Sequence, residues 1–287
     1  MTIMDLDQMP VEEKRVQLFR CCGSSAWVEK MLSVFPVEDM IDLFQYAEDK
    51  WNECSEADWR EAFDHHPQIG NSTTSHEEDK ASAAWAKDEQ SKINEAADDV
   101  KQKLTEANRR YKEKFGYIFI IFATGKSAAE MLRILQDRST NDHDEELVIA
   151  IGEQLKITIQ RFKKLLAGAD WSTVKPSQLT THVLDTTLGR PAKEMTIRLK
   201  HFVDNGWFTL AQGVTNADGR VGDLLPSEKN VVPGNYKMVF ETARYYKANN
   251  ITGLYPAVEI CFTVTDDAHY HIPLLLNPFG YSTYRGS

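Results

Sequence analysis

The hydrophobic pattern of this 287-residue chain changes period once, and that change constrains the fold more than any other feature. Up to about Gly168 the apolar residues recur at helical spacing. HDEELVIAIGEQLKITIQRFKKLLAG opens acidic and closes on two lysines and a glycine, which complements a helix dipole at both ends. SHEEDKASAAWAKDEQSKINEAADDVKQKLTEANRRYKEKFG is highly charged, lacks proline and internal glycine, and ends on a basic turn before Gly116. Stretches around Val16–Leu32 and Met40–Trp51 carry the same spacing. Between the two long patterns, FGYIFIIFATG is apolar on every side and has to be buried whatever its conformation. Beyond the polar, proline-bearing ADWSTVKPSQ the period drops to two. LTTHVLDTTLG, MTIRLKHFV, WFTLAQGVT, GNYKMVFETA, AVEICFTVT and HYHIPLLL are short, rich in β-branched and aromatic residues, and separated by turn chemistry such as NADG and VPGN. One helix-like insert, ETARYYKANN, interrupts them. The expectation is a multidomain α + β protein: an all-α domain over residues 1–167, a linker over 168–177 and an antiparallel β-sandwich over 178–287.

Composition excludes several functions. A net charge of −10 argues against a nucleic-acid partner, whose phosphates need a basic face. Cys21, Cys22, Cys54 and Cys261 show no CxxC spacing, which suits thiols acting as small hydrophobes in a reducing compartment. No secretory signal or membrane span is indicated, so a soluble intracellular protein is expected. GKS at Gly125–Ser127 lacks the earlier glycine of a phosphate loop, whose place is taken by Ile120. NADGR lacks the flanking carboxylates of a calcium loop, because Val214 and Leu225 stand there. His65, His66 and His76 have no completing zinc-ligand spacing. The reading is that no metal, nucleotide or other cofactor is needed.

Polar residues in the second half need an account. His182 shares a strand face with Leu184, and His269 and His271 share one face of HYHIPLLL. Arg220 follows the NADG turn, and the chain closes on Tyr284, Arg285, Gly286 and Ser287. Each alone reads as a solvated strand or surface residue. Together they supply imidazoles that can activate water, and guanidiniums that can hold a developing oxyanion. LTTHVLDTTLGRPA, TNADGRVG and HYHIPLLLNPFGYSTYRGS resemble, in order, the diagnostic segments of 5-hydroxyisourate hydrolase, the transthyretin-related enzyme family. The resemblance covers roughly residues 178–287 and implies a transthyretin-like sandwich. It makes His182, Arg220 and His271 catalytic, gives His269 a supporting role, and sets Tyr284, Arg285, Gly286 and Ser287 around the substrate.

In the first half, FDHHPQIG holds His66 before a proline, whose fixed φ would present the imidazole rigidly. Glu89 and Trp85 lie one helical turn apart, and Arg161 sits late in the last helix among Ile157, Phe162 and Leu165. A solvated helix face is the plain alternative for Glu89 and Arg161. HPQIG, DEQS and FGYIFIIFATG resemble the successive motifs of 2-oxo-4-hydroxy-4-carboxy-5-ureidoimidazoline (OHCU) decarboxylase over roughly residues 10–167. That resemblance implies an all-α, cofactor-free enzyme with His66, Glu89 and Arg161 in catalysis. Pro67, Gln90 and the backbone of Phe119, Ile120, Ile121, Phe122 and Ala123 would contact substrate. The family's usual serine three residues before the glutamate is Ala86 here.

The two families catalyse consecutive steps of urate breakdown, so the expectation is a bifunctional enzyme. It would hydrolyse 5-hydroxyisourate in the second domain and decarboxylate the product to (S)-allantoin in the first. The alternative is a transthyretin-like binding module with a helical docking domain. The resemblance also implies a homo-oligomer, a tetramer built through the sandwich. The ending RGS in place of SKL favours the cytoplasm, with the peroxisome as the alternative.

Overall fold

The computed structural model describes residues 1–66, 98–169, 171, 177–226 and 229–286. Pro67, Glu89, Gln90 and Ser287 lie outside the described residues, as does the first part of the long charged pattern. The chain divides into two compact units, Met1–Val174 and Lys175–Ser287.

The first unit is helical: α1 (Ile3–Gln8), α2 (Val11–Cys22), α3 (Ser25–Leu32), α4 (Met40–Asn52), α5 (Glu56–Asp64), α6 (Asp98–Phe115), α7 (Ala128–Arg138) and α8 (His143–Leu165). Short polar side chains start these helices, because they can accept a hydrogen bond from an otherwise orphaned amide. Ser24, Asp39, Ser55, Ser127 and Asp142 each do so. The helical spacing around Val16–Leu32 is carried by two helices, α2 and α3. Gly23 adopts φ +84° and its N–H bonds Phe19 C=O, which ends α2, and Ser24 then caps α3. A Cβ on Gly23 would also stand 2.9 Å from His65 Cβ, so the same glycine lets the end of α2 close against the residue before His66.

The apolar run Tyr117–Ala123 is buried except for the half-buried Phe122, and it forms neither helix nor strand. Buried backbone outside regular structure needs side chains as partners. Arg138 supplies one by donating to Ile120 C=O at 2.7 Å, and Glu153 accepts from Phe122 N–H at 2.7 Å. Arg138 itself is buried against the buried Glu146 at 2.6 Å, with Asn141 and the Tyr111 hydroxyl completing the carboxylate's contacts.

The second unit is a two-sheet sandwich. Its strands are β1 (Leu179–Asp185), β2 (Arg190–Pro191), β3 (Thr196–Val203), β4 (Gly206–Val214), β5 (Arg220–Val221), β6 (Gly234–Phe240), β7 (Val258–Val264), β8 (Tyr270–His271), β9 (Leu274–Asn277) and β10 (Gly280–Thr283), with helix α9 (Thr242–Ala248) between β6 and β7. One sheet runs β4-β3-β6-β7, antiparallel throughout. The other runs β10-β9-β1-β2, with β5 and β8 also on β1. Pairing is antiparallel except where β1 runs parallel to β8 and β9. HYHIPLLL reads as one strand but is two, interrupted around Pro273. Alternate residues fill the core: Leu179 and Val183 from β1, Ile197 and Leu199 from β3, Met238 and Phe240 from β6, Leu274 and Leu276 from β9.

Candidate active sites

In the sandwich, β1 positions the site because it has neighbours on both edges. Its alternation buries Thr181 and Val183 and leaves Thr180 and His182 on the other, half-buried face. The antiparallel register sets His182 across from Arg220, and the parallel register sets Thr180 across from His271. His182 Nδ1 lies 2.6 Å from His271 Nε2, with the ring planes 14° apart and the centroids 4.8 Å apart, so the rings meet nearly edge to edge. Thr180 Oγ1 stands between the other two ring contacts, 2.8 Å from His271 Nδ1 and 2.9 Å from His269 Nε2. Three imidazoles and one hydroxyl thus form a continuous hydrogen-bonded row.

Burial, with the Arg220 guanidinium nearby, keeps the His182 and His271 imidazoles neutral. Burial, then the charges of His182, Arg220 and His269, pushes His271 down to about 4. His182 is lowered too, by burial first and Arg220 second. Neutral imidazoles beside a fixed cation can accept a proton from water at neutral pH while the guanidinium faces developing negative charge.

The tail is held against this row. Gly286 N–H donates to His271 C=O at 2.9 Å, and the Arg285 guanidinium lies over the Tyr270 ring at 5.0 Å. A Cβ on Gly286 would meet His271 Cδ2 at 2.4 Å, so only glycine lets the chain pass this close to the imidazole. Tyr284 is 53% exposed. Of the second-half candidates the structure gathers His182, His269, His271, Arg220 and Gly286, whereas Arg285 packs over Tyr270 and Tyr284 faces outward. Thr180 was not singled out from sequence. Its signal was available, since it precedes His182 by two on the same strand face.

In the helical unit, His66 follows α5 and is half-buried. Its Nε2 lies 2.7 Å from Gln154 Oε1, and its Nδ1 lies 3.4 Å from an Arg161 guanidinium nitrogen. Arg161 is 6% exposed and also donates to Arg20 C=O at 3.4 Å, so the solvated-face alternative does not describe it. Burial first, and the Arg161 charge second, drives the His66 imidazole down to about 3, so it too is neutral. Gln154 is a fully buried residue on α8 that sequence reasoning missed. In the run proposed to meet substrate, Phe119, Ile120 and Ile121 are buried; the Phe122 N–H is engaged by Glu153, and the Ile120 and Ala123 carbonyls accept from Arg138 and Lys126 N–H. Among the described residues, no group of three or more His, Cys, Asp or Glu is placed to hold a metal ion.

Among the described residues, the helical unit thus holds a neutral His66 between Gln154 and Arg161, and the two-sheet sandwich holds a row of three imidazoles. Residues 7–163 match the family model for OHCU decarboxylase, and residues 179–286 match that for the HIUase/transthyretin family. The chain belongs to the OHCU decarboxylase family, and in the same polypeptide carries a unit of the HIUase/transthyretin family. It is 33% identical to the uric acid degradation bifunctional protein TTL of Arabidopsis thaliana, across 93% of this chain and 96% of that protein. It is also 46% identical to the 5-hydroxyisourate hydrolase of Mus musculus, over 39% of this chain and 96% of that one. Against the 5-hydroxyisourate hydrolase of Salmonella typhimurium it is 41% identical, over 38% and 80%.

Proposed function

We propose that this chain is a bifunctional enzyme of urate degradation, acting as a hydrolase in residues 178–287 and as a carboxy-lyase in residues 1–167. In the hydrolase, the hydrogen-bonded His182–His271 pair takes one proton from water and returns it to the departing ring nitrogen. The resulting nucleophile adds to a ring carbonyl of 5-hydroxyisourate, and Arg220 holds the oxyanion as the cyclic amide opens to OHCU. The observation that carries this reading is the His182–His271–Thr180–His269 row beside Arg220, in a chain whose two family matches name two reactions on one substrate line.

In the decarboxylase, Arg161 draws the OHCU carboxylate and His66 handles the proton, with Glu89, Pro67 and Gln90 assigned by motif. Loss of CO2 leaves an electron pair on the ring carbon. Protonation from one face by His66 gives (S)-allantoin. Neither reaction as written uses a cofactor. We further place the sandwich in a homo-oligomer, a tetramer, and the protein in the cytoplasm. Among the described residues no helix is long and apolar enough to cross a membrane.

The test is to feed the full chain with urate and a urate oxidase while following ultraviolet absorbance and circular dichroism. The proposal expects shortened lifetimes for both intermediates and an (S)-allantoin signal. Unchanged lifetimes with racemic product would refute it.

A further inference from the structure

His66 lies between two partners whose hydrogen-bonding character is fixed. The Cys22 carbonyl sits at the end of α2, where the last carbonyls have no partner within the helix. A carbonyl only accepts, so the Gln154 atom that faces it at 3.2 Å is the amide nitrogen. Thr158 agrees. Its hydroxyl proton goes to Gln154 C=O at 3.1 Å, which leaves a lone pair toward the same amide nitrogen at 3.4 Å. With its nitrogen so occupied, the Gln154 amide turns its oxygen to His66 Nε2. That oxygen only accepts, so Nε2 carries a proton. At the other ring nitrogen stands Arg161, which only donates, so Nδ1 is a bare lone pair. Two partners from one helix face thus specify the same neutral tautomer.

We propose that Gln154 is a positioning residue for decarboxylation: it fixes His66 as the Nε2–H tautomer and makes Nδ1, on the Arg161 side, the atom that exchanges the proton with substrate. This rests on the assignment of His66 to that reaction. The proton count follows from the chemistry. Decarboxylation breaks the bond to the carboxylate, leaves the electron pair on the ring carbon and consumes one proton. Nδ1 takes that proton from solvent when the bound carboxylate offsets the Arg161 charge. It passes the proton to the ring carbon once CO2 has left, and His66 returns to its neutral form. A tautomer with Nδ1 protonated from the start would present no lone pair on that side. It would also set two oxygen- or proton-mismatched contacts, at Gln154 and at Arg161.

The test uses the full chain labelled with 15N-histidine, with the His66 resonances identified by their loss in His66→Asn. The parent protein should show a protonated Nε2 and an unprotonated Nδ1. Gln154→Met keeps the side-chain length but removes the amide. It should lose that tautomer preference and lower kcat for (S)-allantoin formation by between about 10-fold and 10⁴-fold, the range seen when a group orienting an active-site histidine is lost. KM should stay within about 2-fold, and hydroxyisourate hydrolysis should hold the parent rate. Gln154→Glu retains an acceptor oxygen toward Nε2 and should recover part of the rate. A parent His66 protonated on Nδ1 overturns the proposal whatever the variants do. So does a Gln154→Met protein that keeps the parent kcat while His66→Asn is inactive. Should His66→Asn itself keep the parent rate, the failure lies in the underlying assignment of His66.

Discussion

The two sites bring imidazoles to neutral chemistry by opposite routes. In the sandwich, neighbouring strands do the aligning: side chains two apart share a face, and β1 takes partners on both edges. His269 and His271 are therefore delivered together, and Thr180 and His182 meet them through register alone. In the helical unit, His66 meets Gln154 and Arg161 across sequence separations of 88 and 95 residues, through packing of α2 and α8 around the end of α5. The strand site is redundant in imidazoles and partly open. In the helical site both ring nitrogens of His66 face protein groups. A backbone ladder tolerates a cluster, whereas a helix bundle has to set each partner separately.

This contrast can be tested by breaking one side at a time. The largest effect should come from His182→Ala. Removing an acid–base group should slow hydroxyisourate hydrolysis by about 10²–10⁴-fold, followed by stopped-flow ultraviolet absorbance. OHCU formed by spontaneous decay should still yield (S)-allantoin. Loss of both reactions in a folded protein would mean that the sites are not separate.

The next effect is on stability. Arg138→Leu leaves Glu146 buried without its cation, and breaking such a pair costs about 3–5 kcal/mol. Calorimetry should show a lowered helical-unit transition, while the hydrolase rate per folded protein stays at the parent level. A shifted sandwich transition would show that the two units are coupled in stability.

Gly286→Ala sharpens the strand side. The added methyl would displace the His271 ring, and a small misplacement of a catalytic group can cost up to about 10²-fold. Hydrolysis should fall by about 10-fold or more with little change in melting temperature. An unimpaired rate would reduce the tail to a structural tether.

The smallest effect is on pH dependence, and it joins the two sites. His271 and His66 are depressed to about 4 and about 3, and His182 is also lowered. An unfolded histidine titrates near 6.5. Below about that pH the unfolded chain therefore binds more protons than the folded one, so stability is present above it and is lost progressively as pH falls toward the folded values. Melting temperature should decline from pH 7 to pH 5, and His66→Asn should flatten part of that slope. A melting temperature that rises on acidification contradicts neutral buried imidazoles in both sites.

How much of this could be read from sequence follows from the same contrast. The switch of period after Gly168, the main strands and the insert of α9 were legible because periodicity is local. His182, His269 and His271 could be singled out for the same reason, as strand alternation assigns their faces without knowledge of the partner strands. Two-residue strands such as β2 and β5 carry no period to read. The β10 strand was hidden because Gly280–Thr283 reads as a polar tail and pairs only once β9 is in place. Gln154 and the burial of Arg161 were beyond a local reading. On α8 both look like ordinary polar positions, and only the stop imposed by Gly23 and the approach of His65 to α2 bring His66 to them.

We infer that two separate sites act in sequence, with His66 responsible for the handedness of the product. It is tested most directly by circular dichroism of the full chain carrying His66→Asn, supplied with urate and urate oxidase. Hydroxyisourate should be consumed at the parent rate, OHCU should accumulate, and the (S)-allantoin signal should be lost even as total allantoin slowly rises. Optically pure (S)-allantoin formed at the parent rate would contradict it.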